Sequence, residues 1–176
     1  MSVEPDDEPI DERDSLIVLL RHGIAEERTE GKADEDRSLT AEGHARMKQI
    51  ARGLAIAFPR AQAIYSSPLL RAVQTALWVS KGYRSRVKVN TTDAVVPGAS
   101  TGELLAFLKG LTQRRVIIVG HEPNLSENAM ELLGLTGGDI ELKKGGGYCI
   151  RLHTDGKAEM EWLLSPRLLR KLGEGD

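Results

Sequence analysis

Ser15-Leu16-Ile17-Val18-Leu19-Leu20-Arg21-His22-Gly23 is a short, almost unbroken apolar run that stops at an arginine, a histidine and a glycine. Its length and branched content suit a strand covered on both faces, since a strand with one wet face would alternate polar and apolar residues. A second run of this kind, Arg115 to Val119, ends in Gly120 and His121. Between the two lie shorter strand-like runs at Ala61 to Ser66 and Val87 to Thr91. Helical spacing separates them. Thr40 offers an N-cap to a helix whose inner face is Met47, Ile50, Ala51, Leu54 and Phe58, ending at Pro59. Ser67 and Pro68 read as N-cap and first helical residue of a second helix with Val73, Ala76 and Leu77 inward. A third helix spans Thr101 to Leu111, and Pro123 opens a fourth that stops near Gly134. Tyr148 to His153 and Ala158 to Leu164 flank an Asp155-Gly156 turn, a hairpin signature.

Strands alternating with helices predict an α/β fold. The expected architecture is a three-layer αβα sandwich, a mainly parallel central sheet with helices on both faces and a C-terminal antiparallel hairpin. The 176 residues, 40 % of them hydrophobic, suffice for one domain with one core. Residues 1–14 stand apart: seven acids (Glu4, Asp6, Asp7, Glu8, Asp11, Glu12, Asp14) face Arg13 alone, with Pro5 and Pro9 among them. They read as an acidic, disordered tail before a domain over residues 15–176. The formal net charge of −2 supplies no general field for nucleic acid. No apolar run approaches the length that spans a bilayer, and the N-terminal segment lacks a signal peptide's pattern, so a cytoplasmic protein without membrane partners is expected. The single Cys149 rules out an internal disulfide and paired-cysteine zinc sites.

In open α/β sheets ligands bind beyond the carboxyl ends of the parallel strands. His22 and His121 each follow a buried strand there, and Arg71 falls in the first turn of the helix after another. Arg21 and Arg71 with the two histidines, beside helix starts at Ser67 and Pro123, make a site for a phosphoryl group. His44 and His153 lack such company and read as solvated or hydrogen-bonded residues. Asp34, Glu35 and Asp36 could hold a cation but read better as a solvated loop. His121-Glu122 is followed by Leu125 where a zincin needs histidine, and Asp155 stands where a cysteine phosphatase built on Cys149 would need arginine. Gly98-Ala99-Ser100-Thr101-Gly102 matches a nucleophile elbow, with Asp139 and His153 following in chain order. The short run Ala94 to Pro97 before it is no buried strand, so Ser100 reads as the cap of the third helix. The glycines 145–147 read as a turn, and Cys149 as packing.

Three ordered segments resemble the motifs of the histidine phosphatase superfamily, to which the phosphoglycerate mutases also belong. They are Leu20-Arg21-His22-Gly23, Ser67-Pro68-Leu69-Leu70-Arg71-Ala72 and Gly120-His121-Glu122-Pro123. Arg37-Ser38-Leu39-Thr40 is similar to that family's approach to its first helix, and Trp162-Leu163-Leu164-Ser165-Pro166 to the ending of SixA-type phosphohistidine phosphatases. The resemblance implies His22 as nucleophile, Arg21, Arg71, His121 and Gly23 around the phosphoryl oxygens, and neither cofactor nor metal. The family's general acid has two candidates, Asp93 and Glu122. The short interval between residues 72 and 120 leaves no room for the lid of larger members, and an open site suits a phosphate displayed on a protein. The expected activity is therefore a metal-independent phosphatase acting on phosphohistidine in a phosphorelay or phosphotransfer protein. Alternatives are a phosphomonoesterase on a small phosphorylated metabolite and a non-catalytic phosphoprotein-binding module. The oligomeric state is left open, a monomer included.

Overall fold

The computed structural model describes residues 13–138 and 140–175. β1 (Ser15–Arg21) lies inside a six-stranded sheet with β2 (Ala63–Ser66), β3 (Val89–Thr91), β4 (Arg115–Gly120), β5 (Gly147–Leu152) and β6 (Ala158–Leu164), in the order β3-β2-β4-β1-β5-β6. The first four positions in that order are joined by parallel pairings, and β5 and β6 add the antiparallel hairpin. This is the mainly parallel α/β sheet with a terminal hairpin that the alternating pattern predicts.

Both faces of β1 are covered, which explains its continuous apolar character. Leu16, Val18 and Leu20 face one core with α1 (Ala41–Ala57), α2 (Leu70–Gly82) and α5 (Pro166–Leu172). Ile17 and Leu19 face the other, with α3 (Thr101–Lys109) and α4 (Asn124–Leu132). Close backbone approach sets the first layer. A Cβ on Gly43 would stand 2.0 Å from the Ile24 carbonyl oxygen, and one on Gly53 1.8 Å from that of Leu169. Glycine alone lets α1 press against the segment leaving His22 and against α5.

One helix start differs from expectation. α2 begins at Leu70 with Leu69 as an N-cap that offers no side-chain bond, two residues past the Ser67-Pro68 signature. The Ser67 hydroxyl is engaged by His121 instead. The same signature at Ser165-Pro166 does open a helix, α5, where Ser165 accepts from Leu168 N. Ser100 caps α3 in a capping box with Glu103, which disposes of the elbow reading; Asp139 lies outside the described residues.

Of the predicted acidic tail, residues 1–12 lie outside the described residues. Asp14, read with that tail, is buried and accepts from His153 Nδ1 (2.9 Å) and Thr154 N (3.3 Å), so it belongs to the fold. The buried thiol of Cys149 is pushed up to about 12 by desolvation, in keeping with packing rather than reactivity. No helix of the described residues is long and apolar enough to cross a membrane.

Candidate active site

Neighbouring parallel strands bring the two histidines together. Arg21 pairs with Gly120 in register, His22 N donates to the Gly120 carbonyl (3.1 Å), and the rings of His22 and His121 lie 5.2 Å apart between centroids. Both are buried, as is Arg71 in the first turn of α2. The charges of Arg21 and Arg71 act on both histidines.

The partner of His22 fixes its tautomer. His22 Nδ1 lies 2.7 Å from the Gly23 carbonyl, which can only accept, so Nδ1 carries the proton and Nε2 the lone pair. Gly23 is fixed in turn, its N–H donating to Thr75 Oγ1 (3.0 Å) and Thr75 Oγ1 donating to the Arg71 carbonyl (2.7 Å). Expected to touch substrate, Gly23 here spends both backbone groups on orienting His22. His121 Nε2 lies 2.8 Å from Ser67 Oγ, which accepts weakly from Leu69 N (3.4 Å). When Ser67 donates its hydroxyl hydrogen to Nε2, the imidazole proton sits on Nδ1, which has no other partner.

Burial keeps both rings neutral. Desolvation, reinforced by the nearby cations, lowers His22 to about 3 against the pull of the Gly23 bond, and His121 to about 4. An NMR titration of the imidazoles is expected to find both neutral at pH 5, and a midpoint near 6.5 for His22 would contradict this. The unfolded chain takes up these protons below about 6.5. Stability from the two groups is therefore complete above that pH and is lost as pH falls toward about 4 and 3.

Three buried nitrogens at the site have no partner: Arg21 Nε, Arg71 Nε and His121 Nδ1. An unpaired buried donor costs about 1–3 kcal/mol, and the two arginine nitrogens can only donate, so each calls for an acceptor such as an anion's oxygen. Arg21 is tied outward through Nη1 to the Leu142 carbonyl and to Glu141 (3.0 Å to the latter). Lone acids play other parts. Glu122 accepts from Ser126 Oγ (2.8 Å), Ser126 N (3.3 Å) and Leu142 N (3.1 Å), spending its carboxylate on the first turn of α4, and desolvation raises its pKa. Asp93 opens a single turn after β3 and is exposed.

Asp34 and Arg37 are the residues that sequence reading missed. Asp34 is not the solvated loop residue expected: its carboxylate lies 2.8 Å from Arg71 Nη2, 2.9 Å from Arg37 Nη2 and 3.0 Å from Arg28 Nε. Burial pushes this carboxyl up, but the bond and charge of Arg71, with Arg37 and Arg28, outweigh it and hold it at about 2. No cluster of three or more His, Cys, Asp or Glu side chains among the described residues could hold a metal ion. A cavity of about 660 Å³ opens at the opposite edge of the sheet, lined by residues such as Ile17, Leu108 and Arg114 and by none of the site residues. The remaining histidines are accounted for: His44 Nδ1 bonds to Trp78 Nε1 (2.9 Å), and His153 to Asp14.

Residues 17–95 match the histidine phosphatase superfamily (branch 1). An uncharacterized protein of Picosynechococcus sp. is 34 % identical over 164 residues, covering 87 % of this chain and 98 % of its own. Among solved structures, the protein histidine phosphatase SixA bound to tungstate superposes with a TM-score of 0.78 at 23 % identity, covering 88 % of this chain and 99 % of that one. Phosphoserine phosphatase of Entamoeba histolytica bound to phosphoserine superposes at 0.69 and 18 %, covering 88 % and 99 %. With family match and shared fold in agreement, the chain belongs to the histidine phosphatase superfamily, branch 1, and phosphatase chemistry comes with that membership.

Proposed function

We propose that this phosphatase removes phosphate from phosphohistidine displayed on a protein, through a phosphohistidine intermediate on His22. The observation that carries the proposal is the set of buried, unpartnered nitrogens of Arg21, Arg71 and His121 near a neutral imidazole whose Nε2 holds the lone pair. In the first step Nε2 attacks phosphorus, an N–P bond forms to His22, and the bond to the leaving group breaks with its electron pair. Arg21 Nε, Arg71 Nε and His121 Nδ1 donate to the non-bridging oxygens, whose charge they stabilise as the loose transition state develops. In the second step water attacks phosphorus, the His22 N–P bond breaks, and phosphate leaves as the imidazole returns to its neutral form.

The choice of substrate follows from the leaving group. An alkoxide departs only with a proton from a placed acid, whereas a leaving imidazole can be protonated by solvent. Glu122, engaged with Ser126 and Leu142, and Asp93, exposed, suit the second case better than the first. The SixA likeness supports the same reading, while a phosphoserine phosphatase of the same fold keeps the small-metabolite alternative open to test.

The test measures kcat/KM on a phosphohistidine-bearing carrier protein, an aryl phosphate and glycerol phosphate. Phosphohistidine and the aryl ester are expected to be far better substrates. Asp93→Asn and Glu122→Gln should each cost less than about tenfold on phosphohistidine, below the roughly 10²-fold loss of a true general acid. Efficient glycerol phosphate hydrolysis that collapses in one variant would make the protein a small-metabolite phosphatase, and absence of turnover on all three would make it a phosphoprotein-binding module.

A further inference from the structure

A planar guanidinium presents two forked edges, one formed by its two Nη groups and one by Nε with an Nη. In Arg71 the first edge is fully spent on a single residue. Nη1 donates to the Asp34 carbonyl at 2.7 Å and Nη2 to the Asp34 carboxylate at 2.8 Å. On the second edge Nε is buried and makes no hydrogen bond, in a side chain 4 % exposed. Asp34 is itself braced, its other oxygen accepting from Nε of both Arg28 and Arg37 at 3.0 Å, while Arg37 Nη1 donates to the Glu26 carbonyl at 2.7 Å.

We propose that Asp34 is a positioning residue of the phosphoryl site, clamping the outer edge of Arg71 so that the inner Nε edge is presented to the oxyanion. The proposal rests on the phosphatase reading of that site. A carboxylate beside an anion-binding arginine suggests a competitor that must leave before phosphate enters. The edges decide against it, because Asp34 holds the Nη pair while Nε makes no hydrogen bond. Arg21 is tied in a related manner, with its Nη1 on the Leu142 carbonyl and Glu141 and its Nε unpartnered. The Glu141 side chain is 70 % exposed against 33 % for Asp34, so solvent screens the former, and Asp34 is the acid whose removal is felt.

The experiment titrates orthovanadate into wild type, Asp34→Asn, Asp34→Glu, Arg71→Lys and the Asp34→Asn/Arg71→Lys double variant, with kcat and KM on an aryl phosphate and a thermal melt for each. Asp34→Asn is expected to weaken vanadate binding about tenfold and to lower kcat more than it raises KM, as the loss of one member of a half-buried polar network does. Asp34→Glu should restore the affinity to within about threefold of wild type, since it keeps the charge. In the Arg71→Lys background the asparagine change should add less than about threefold, because a residue acting through Arg71 has little left to position. Tighter vanadate binding by Asp34→Asn would establish the competitor and overturn the proposal. So would a full tenfold loss repeated in the Arg71→Lys background, or unchanged binding in a folded Asp34→Asn protein. Wild type that binds no vanadate would instead defeat the phosphatase reading beneath it.

Discussion

His22→Ala is expected to lower turnover by at least about 10³-fold, because it removes the atom to which phosphorus is transferred. The effect should fall on kcat, with the oxyanion donors still present to bind. Quenching wild type during turnover of a phosphoramidate donor and mapping the label by mass spectrometry at alkaline pH, where the N–P bond survives, should place the phosphate on His22. Label on another residue, or substantial activity in His22→Ala, would refute the assignment. The obvious competitors are poorly placed: Cys149 is buried with its thiol pushed up to about 12, and Ser100 Oγ is engaged with Glu103.

Arg71→Lys should cost about 2–4 kcal/mol of transition-state stabilisation, by analogy with lost oxyanion-hole donors. The total charge is unchanged, so Coulomb attraction alone would leave the rate intact. What is lost is shape. A lysine ammonium cannot hold Asp34 on one edge while presenting a second edge to the phosphoryl group. Steady-state kinetics on an aryl phosphate with matched thermal melts measure the loss, and wild-type kcat/KM in a folded lysine variant would reduce Arg71 to a structural residue.

The sheet was legible in the sequence because its strands carry their own evidence. A run such as Leu16 to Leu20 needs apolar cover on both sides, and the histidine that ends it must emerge at the strand's carboxyl edge. His22, His121 and Arg71 could therefore be brought to one place before any contact was known. Asp34 could not. It sits in a polar segment with no periodicity, and its partner Arg71 is 37 residues away, a pairing that only tertiary folding creates. Ser67 marks a different limit. Its neighbour Pro68 makes a sound local argument for a helix cap, yet the hydroxyl has a stronger use in orienting His121, and α2 starts without it. At Ser165, where no such claim intervenes, the same pair of residues caps α5 as its chemistry dictates.

The pairing of β1 on both sides, with β4 and β5, has a consequence for how the site opens in time. Amides along that strand exchange with solvent only when the sheet itself comes apart, so the backbone that carries His22 shares the slow lifetime of the whole domain. The stretch bearing Asp34 has one short turn, the isolated bridge between Ala25 and Leu39, and side-chain ties that a local fluctuation can release. Its protection is set by that local opening. The grip on Arg71 can thus relax and reform without opening the strand that leads into His22.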